Sequence, residues 1–238
     1  MTRWKASGSH LLLSIVVIGG IALSAFLLWY PHALYRIAGL DRILLVMLGI
    51  DLTAGPLLTL ILYRKGKRGL KFDLTVIALC QLAFLAYGLH TLWVARPVFL
   101  VATPQTFTLV FASEIDDADL AAAARPEWRR LSWTGPVLVG TRMPDDPEER
   151  RAVMEQFMAG GAGIERTPAR YLDFARVAPD MLATAARPLD PATLQGADLR
   201  AAGSGPDRLR VVPIVSRRGE GRMLVDGQTG EPMRVLAR

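Results

Sequence analysis

The chain has 238 residues, of which 51% are hydrophobic, and its formal net charge at neutral pH is +6. Residues 1–94 carry nine Lys or Arg against three acids, whereas residues 95–238 carry nineteen Arg and nineteen acids. Because the whole basic excess lies in the apolar half, it indicates membrane topology and gives no reason to expect a nucleic-acid partner.

Three apolar segments follow one another in the first 94 residues. Each is long enough to cross the roughly 30 Å hydrocarbon layer as a helix, and lipid leaves backbone groups no other way to pair. We therefore predict transmembrane helices over residues 11–30, 43–63 and 72–94. A cleavable signal peptide is the alternative for the first segment, but its apolar stretch is longer than a signal sequence requires and two further spans follow.

The loop between the second and third spans sets the orientation. Five of its eight residues are basic: Arg64, Lys65, Lys67, Arg68 and Lys71. By the positive-inside rule, this loop and the N-terminus lie in the cytoplasm and everything after residue 94 lies outside. An aromatic belt at the outer membrane surface is then formed by Trp29, Tyr30, Tyr35 and Trp93. Attraction to anionic lipid is the alternative role for the basic loop.

The remainder, residues 95–238, predicts a small α+β domain. Strands are expected over residues 97–102, 106–112 and 136–141. A helix is expected after Asp146 as its N-cap, with Pro147 at its first position. Three short strands joined by turns at 217–221 and 226–230 predict a C-terminal β-meander, in which Pro213 belongs at an edge or a bulge.

Catalytic equipment is scarce in this second half, because residues 95–238 contain no His, Cys or Lys. This excludes Ser–His, Cys–His and Ser–Lys machinery, Schiff bases and histidine metal sites from the domain. The acidic clusters at 116–119 and 145–149 are typical of helix N-termini rather than of calcium loops or glycosidase pairs. We expect no catalytic residue, no cofactor and no metal, and a binding or scaffolding role.

Asp51 is the unusual residue of the second span. An ionisable group there costs about 2.5–3.5 kcal/mol on insertion scales, so it faces protein or water. Pro56 frees the carbonyl of Leu52, Thr53 adds a hydroxyl, and Gly55 permits close approach of another helix. Asp51 has two possible roles. It either hydrogen-bonds within the three-helix bundle, which we call an internal joint, or it belongs to a site that binds another protein's transmembrane helix, which we call a docking notch. From the residues alone the internal joint is favoured.

Four segments stand in a fixed order along the chain: RWKASGSHLLLS, FLLWYP, GIDLTAGPLLTLIL and GKRGLKFDLTVIALCQLAFLAYGLHTLWVARPVFLV. In that order they resemble the type IV pilin accessory proteins (the TfpX/TfpZ-like family), over residues 3–114. The resemblance implies a chaperone-like factor of the bacterial inner membrane, with a periplasmic C-terminal domain. Its client would be a type IV pilin, bound through its transmembrane helix and its globular head to promote pilus assembly and twitching motility.

The resemblance also gives the docking notch the same weight as the internal joint. The candidate partner-binding residues are then Asp51, Thr53, Gly55, Pro56, Gln81 and Tyr87, of which Gln81 and Tyr87 come from the resemblance. Two other functions stay open. One is a membrane-anchored envelope enzyme or sensor, for example in pilin glycosylation, although the loop at 31–42 offers only Asp41 as a catalytic acid. The other is a structural subunit of the pilus machinery.

Overall fold

The structure, a computed structural model, describes residues 2–64, 67–189 and 208–236, without the side chains at positions 42, 43, 47, 48 and 50–52. The chain divides into two compact units. The helical unit comprises Met1–Leu27 and Leu40–Val94, and the C-terminal unit comprises Leu28–Gly39 and Ala95–Arg238. This grouping differs from the expected division at residue 94, because the segment Leu28–Gly39 folds with the C-terminal unit.

Helices dominate the first part of the chain: α1 (Arg3–Trp29), α2 (Tyr35–Ala38), α3 (Leu40–Leu62) and α4 (Leu70–Val94). Large apolar side chains are exposed on α1 and α4, such as Leu12 at 63% and Leu82 at 60%. Among the described helices, α1 and α4 are long and apolar enough to cross a membrane. The described apolar run of α3, Thr53–Leu62, is shorter, so the second predicted span stays a prediction.

The connection between α3 and α4 carries the predicted basic loop. Arg64, Lys67, Arg68 and Lys71 are exposed, and Lys65 lies outside the described residues. The ammonium group of Lys67 pairs with the carboxylate of Asp73 in the first turn of α4. An acid at that position also suits the positive end of the helix dipole.

A mixed sheet forms the body of the C-terminal unit. Its described strands are β1 (Pro97–Ala102), β2 (Phe107–Phe111), β3 (Val137–Gly140), β4 (Arg187–Pro188), β5 (Leu209–Ser216), β6 (Gly219–Asp226) and β7 (Pro232–Val235). Their order is β3-β1-β2-β5-β6-β7, with β4 paired to β5. The pairs β1·β3 and β2·β5 are parallel and the others are antiparallel. The predicted α+β class and the C-terminal meander are confirmed.

Strand β1 is buried along its whole length, which is why its sequence is a continuous apolar run rather than an alternation. The ring of Tyr171 meets Phe99 of β1 edge-on, with 5.0 Å between centroids. The Tyr171 hydroxyl donates to the carbonyl of Glu165 at 2.6 Å, and burial raises the pKa of this phenol well above its usual range. The buried polar tip is thus satisfied while its ring fills the core.

Three further α-helices belong to this unit: α5 (Asp117–Ala121), α6 (Pro147–Met158) and α7 (Ala178–Thr184). The carboxylate of Asp146 accepts a hydrogen bond from the backbone N–H of Glu149 at 2.9 Å, and Pro147 occupies the first helical turn of α6. The predicted cap is confirmed. It pairs one of the N–H groups that a helix leaves without an internal acceptor.

Pro213 lies in β5, in the middle of the sheet, where a proline has no backbone N–H to donate to a neighbouring strand. Pairing of β5 with β4 ends at Val211, and pairing with β2 begins at Ile214. Pro213 therefore falls between two partners on that side of β5, a position equivalent to a local edge. The backbone carbonyl of Pro213 accepts a hydrogen bond from the hydroxyl of Thr106 at 2.9 Å.

The segment Leu28–Gly39 packs on the end of the meander. Leu34 and Ala38 are fully buried and Ile37 is 3% exposed. The hydroxyl of Ser216, at the end of β5, donates to the carbonyl of Ile37 at 2.7 Å. Arg218, in the turn between β5 and β6, donates to the carbonyl of Ala38 at 3.2 Å. The short connection expected between two membrane helices is thus part of the core of the C-terminal unit.

The same segment also covers β7, the last strand in the sheet order. Nδ1 of His32 donates to the carbonyl of Met233 at 2.9 Å, and Arg36 donates to the carbonyl of Val235 at 2.8 Å. Unpaired carbonyls on a terminal strand would invite pairing with another chain. These two side chains satisfy them within the molecule.

Candidate functional site

The helical unit contains a groove of 660 Å³ with mostly apolar walls. Its walls include Ala6, His10, Leu13 and Val17 of α1 and Leu74, Ala78, Gln81 and Leu85 of α4. On each helix these positions follow the spacing i, i+4, i+7, i+11, which places them on a single face. Thr59 contributes from α3. The three helices therefore enclose one apolar groove.

A polar cluster is formed by Ser7, His10, Thr59 and Gln81, and all of these except Ser7 line the groove. Nδ1 of His10 lies 2.7 Å from the hydroxyl of Thr59, and its Nε2 contacts the amide oxygen of Gln81. An amide oxygen only accepts hydrogen bonds, so Nε2 of His10 is the donor to Gln81. The hydroxyl of Ser7 donates to the carbonyl of Pro56 at 2.8 Å. The cluster joins α1, α3 and α4.

Gly55 allows α3 to come this close to Gln81. Gly55 is buried, and a Cβ atom built on it would lie 1.7 Å from the amide nitrogen of Gln81 and 2.6 Å from its Cδ. A side chain at position 55 therefore cannot coexist with the present position of the Gln81 amide. Small residues play this role where helices pack in a membrane.

The predicted partner-binding residues fall into two groups in the structure. Gly55, Pro56 and Gln81 meet at the polar cluster. Thr53 is exposed and bonds back to the carbonyl of Gly49, one turn earlier. Tyr87 is 73% exposed and lies elsewhere on α4. The side chain of Asp51 lies outside the described residues, so its docking and internal-joint interpretations both stay predictions.

Sequence reasoning missed Ser7, His10 and Thr59. The first span was predicted from residue 11, which placed His10 outside it, but α1 begins at Arg3. His10 therefore stands about 10 Å inside the helix at 1.5 Å per residue. The sequence did carry a signal for this contact: His10 directly precedes an apolar segment, and Gln81 is a polar residue within another apolar helix.

This arrangement can position helices and recognise a helix that carries a polar group. Hydrogen bonds between membrane helices contribute about 0.6 kcal/mol on average and about 1.7 kcal/mol at most. The cluster thus fixes the packing of α1, α3 and α4 while the groove walls stay apolar. Within the described ranges, no three His, Cys, Asp or Glu side chains lie close enough to hold a metal ion.

Three proteins of Dichelobacter nodosus are similar to this chain. The fimbrial assembly protein of serogroup E1 is 35% identical over 159 residues, 66% of this chain and 61% of the relative. The serogroup I protein is 34% identical over the same lengths, so the chain spans 61% of each of these relatives. The protein of serogroups C1 and C2 is 40% identical over 100 residues, 41% of this chain and 76% of the relative. No family model matches the chain, and no solved structure matches it significantly.

Proposed function

This chain belongs to the family of fimbrial assembly proteins, and we propose that it is an inner-membrane accessory factor that binds type IV pilin subunits. Family membership supports a role in pilus assembly and an interaction with pilus components. Its apolar helices are compatible with anchoring in a membrane. The finer proposal, chaperone-like binding of pilin, depends on the groove of the helical unit.

The proposed occupant of the groove is the apolar transmembrane helix of a pilin. The groove walls are formed mostly by apolar faces of α1 and α4. Because lipid is as apolar as such a helix, burial alone does not favour its docking; close packing and polar contacts do. The 660 Å³ groove provides the packing surface, and His10 and Gln81 provide polar groups at a defined depth. The globular head of the pilin would contact the C-terminal unit.

The proposed arrangement has α1, α3 and α4 crossing the membrane, the N-terminus in the cytoplasm and the C-terminal unit in the periplasm. The exposed basic residues between α3 and α4 support it through the positive-inside rule. Alkaline phosphatase fused after residue 238 is expected to be active, and the same enzyme inserted after Lys67 inactive. Green fluorescent protein should give the reverse pattern. A C-terminal phosphatase fusion without activity but with a fluorescent counterpart would refute this topology.

We propose that the protein binds its client without catalysing a reaction. The composition of residues 95–238, which lack His, Cys and Lys, supports this for that part of the C-terminal unit, and His32 in the remaining segment donates to the carbonyl of Met233. In the helical unit, the imidazole of His10 is engaged by the Thr59 hydroxyl and by the Gln81 amide oxygen, contacts that join helices. A role in pilin glycosylation would instead require turnover of a sugar donor by the purified protein.

Recovery of the cognate pilin with the affinity-tagged protein tests the groove. His10→Leu removes both hydrogen bonds of the ring at the groove wall, and we expect it to lower pilin recovery severalfold. Asp51→Ala is expected to lower recovery if its carboxylate faces the pilin helix. Leu12→Ala, at a position 63% exposed on α1, is the matched control and should recover pilin as the wild type does.

Membrane abundance of each variant is measured in parallel, because an unfolded helical unit would also lose pilin. His10→Gln, which retains a donor and an acceptor, should recover part of the binding at equal abundance. Equal pilin recovery by wild type, His10→Leu and Asp51→Ala would remove the polar residues from the mechanism.

A further inference from the structure

A loop of the C-terminal unit, residues 131–135, accepts hydrogen bonds from two other residues of that unit, Trp29 and Arg96. Trp29 is the last residue of α1, and its indole N–H donates to the carbonyl of Trp133 at 2.8 Å. Arg96 follows the end of α4 at Val94, and its Nε donates to the carbonyl of Ser132 at 3.1 Å. We call residues 131–135 the tryptophan loop. Two neighbouring carbonyls of this loop thus accept hydrogen bonds from the last residue of α1 and from a residue that follows α4 in the chain.

A third contact brings the backbone of the loop against the end of α1. Gly135 has φ +93°, a conformation that favours glycine. A Cβ atom at this position would lie 3.2 Å from the carbonyl oxygen of Leu28. Leu28 adjoins Trp29 in the last turn of α1, so this contact and the indole hydrogen bond fix the loop at the same place.

The side chain of Trp133 is 72% exposed. In water-soluble proteins tryptophan side chains are, on average, largely buried. At a membrane surface the amphipathic ring of tryptophan lies among the lipid headgroups. The end of a membrane-spanning helix lies at that surface. Arg129 and Arg130, just before the loop, are also exposed, and guanidinium groups there would be attracted to anionic phosphates.

We propose that the tryptophan loop contacts the outer leaflet of the membrane, with the ring of Trp133 among the lipid headgroups. The lipid bilayer is thus a ligand of the C-terminal unit as well as of the helices. This inference depends on α1 and α4 crossing the membrane and is independent of pilin binding. It extends the aromatic belt predicted around Trp29 to a residue far along the chain.

Depth-dependent fluorescence quenching of the full-length protein tests the proposal. Thr134→Cys, exposed beside Trp133, carries an environment-sensitive fluorophore in a Cys80→Ala background. The protein is reconstituted in vesicles of phosphatidylethanolamine and phosphatidylglycerol that contain nitroxide lipids, labelled near the headgroup or deep in the acyl chain. Two other labelled positions serve as references: Leu23→Cys, 59% exposed on α1, and Asp145→Cys, whose side chain is 85% exposed before α6.

The label at position 134 is expected to be quenched severalfold more by the headgroup nitroxide than the label at position 145. The label at position 23 should be quenched most by the deep nitroxide. Adding Trp133→Ser keeps the backbone carbonyls that bind Trp29 and Arg96, and should reduce quenching at position 134. The inference fails if the label at position 134 behaves like that at 145, which would leave Trp133 to a protein partner, or if Trp133→Ser changes nothing. Absence of deep quenching at position 23 would instead remove its premise, that α1 crosses the membrane.

Discussion

Replacing Leu34 by Ala is expected to lower the free energy of unfolding of the C-terminal unit by about 2–5 kcal/mol, the usual cost of truncating a fully buried leucine. Leu34 has no exposed surface, although it lies in the connection between two long apolar helices. Stabilities of natural domains are about 5–15 kcal/mol, so this loss should make the unit sensitive to protease. Thermal unfolding in detergent and limited proteolysis in membranes measure the effect.

The matched control is Leu12→Ala, the same change at a position that is 63% exposed on α1. It should leave the unfolding temperature and the protease resistance of the C-terminal unit unchanged. The same reasoning applies to fragments. A chain that begins at residue 95 lacks the buried side chains of Tyr30, Leu34 and Ile37 and should aggregate. Joining residues 28–39 to it through a flexible linker should restore a soluble fold. Equal stability of Leu34→Ala and Leu12→Ala would show that the segment is dispensable.

Elements whose causes are local could be predicted from the sequence. Strand β1 was predicted with its observed bounds, because an uninterrupted apolar run between turn residues has few other solutions. The N-cap at Asp146 was predicted because cap, proline and first-turn acids follow one another within four residues. The C-terminal meander was predicted because three short strand-like segments are separated by turn residues. The observed antiparallel pairing of β5 with β6 and of β6 with β7 agrees with this prediction.

Features that depend on distant contacts could not be predicted in the same way. The burial of Leu28–Gly39 arises from strands at the opposite end of the chain, such as the contact of Ile37 with Ser216. Nothing in a twelve-residue connection shows which surface will cover it. Its one available signal was the apolar content of Leu34, Ile37 and Ala38 in a stretch expected to face water.

In the candidate site, too, residues with a local signal were predicted and residues defined by distant contacts were not. Gly55 and Pro56 were identified because a glycine and a proline inside an apolar helix are conspicuous, and Gln81 through the resemblance. Their common neighbour His10 was missed, since its partners Thr59 and Gln81 lie 49 and 71 residues away in the sequence. Periodicity within one helix cannot reveal which faces of three helices meet. The interpretation of Asp51 is the part that still depends on sequence alone.

Gly55→Ala is expected to disrupt the polar cluster and abolish most pilin recovery. The new methyl group would occupy the position of the Gln81 amide, 1.7 Å from its nitrogen, so the amide must leave His10. Overpacking of this kind costs about 1–3 kcal/mol, and here the flexible end of Gln81 gives way before the backbone does. Gly49→Ala is the matched control on the same helix, because nothing lies within 4 Å of a Cβ there. It should retain the stability and the pilin recovery of the wild type.

Combining Gly55→Ala with Gln81→Ala separates helix packing from the polar contact. The double variant frees the space that the methyl group needs, so the thermal stability of the helical unit should return towards that of Gln81→Ala alone. Such coupling between neighbouring sites is the expected sign of direct contact. Pilin recovery should nevertheless stay low, because His10 still lacks its amide partner. Full recovery of pilin by the double variant would show that shape, and not the hydrogen bond between His10 and Gln81, is what the groove presents to its client.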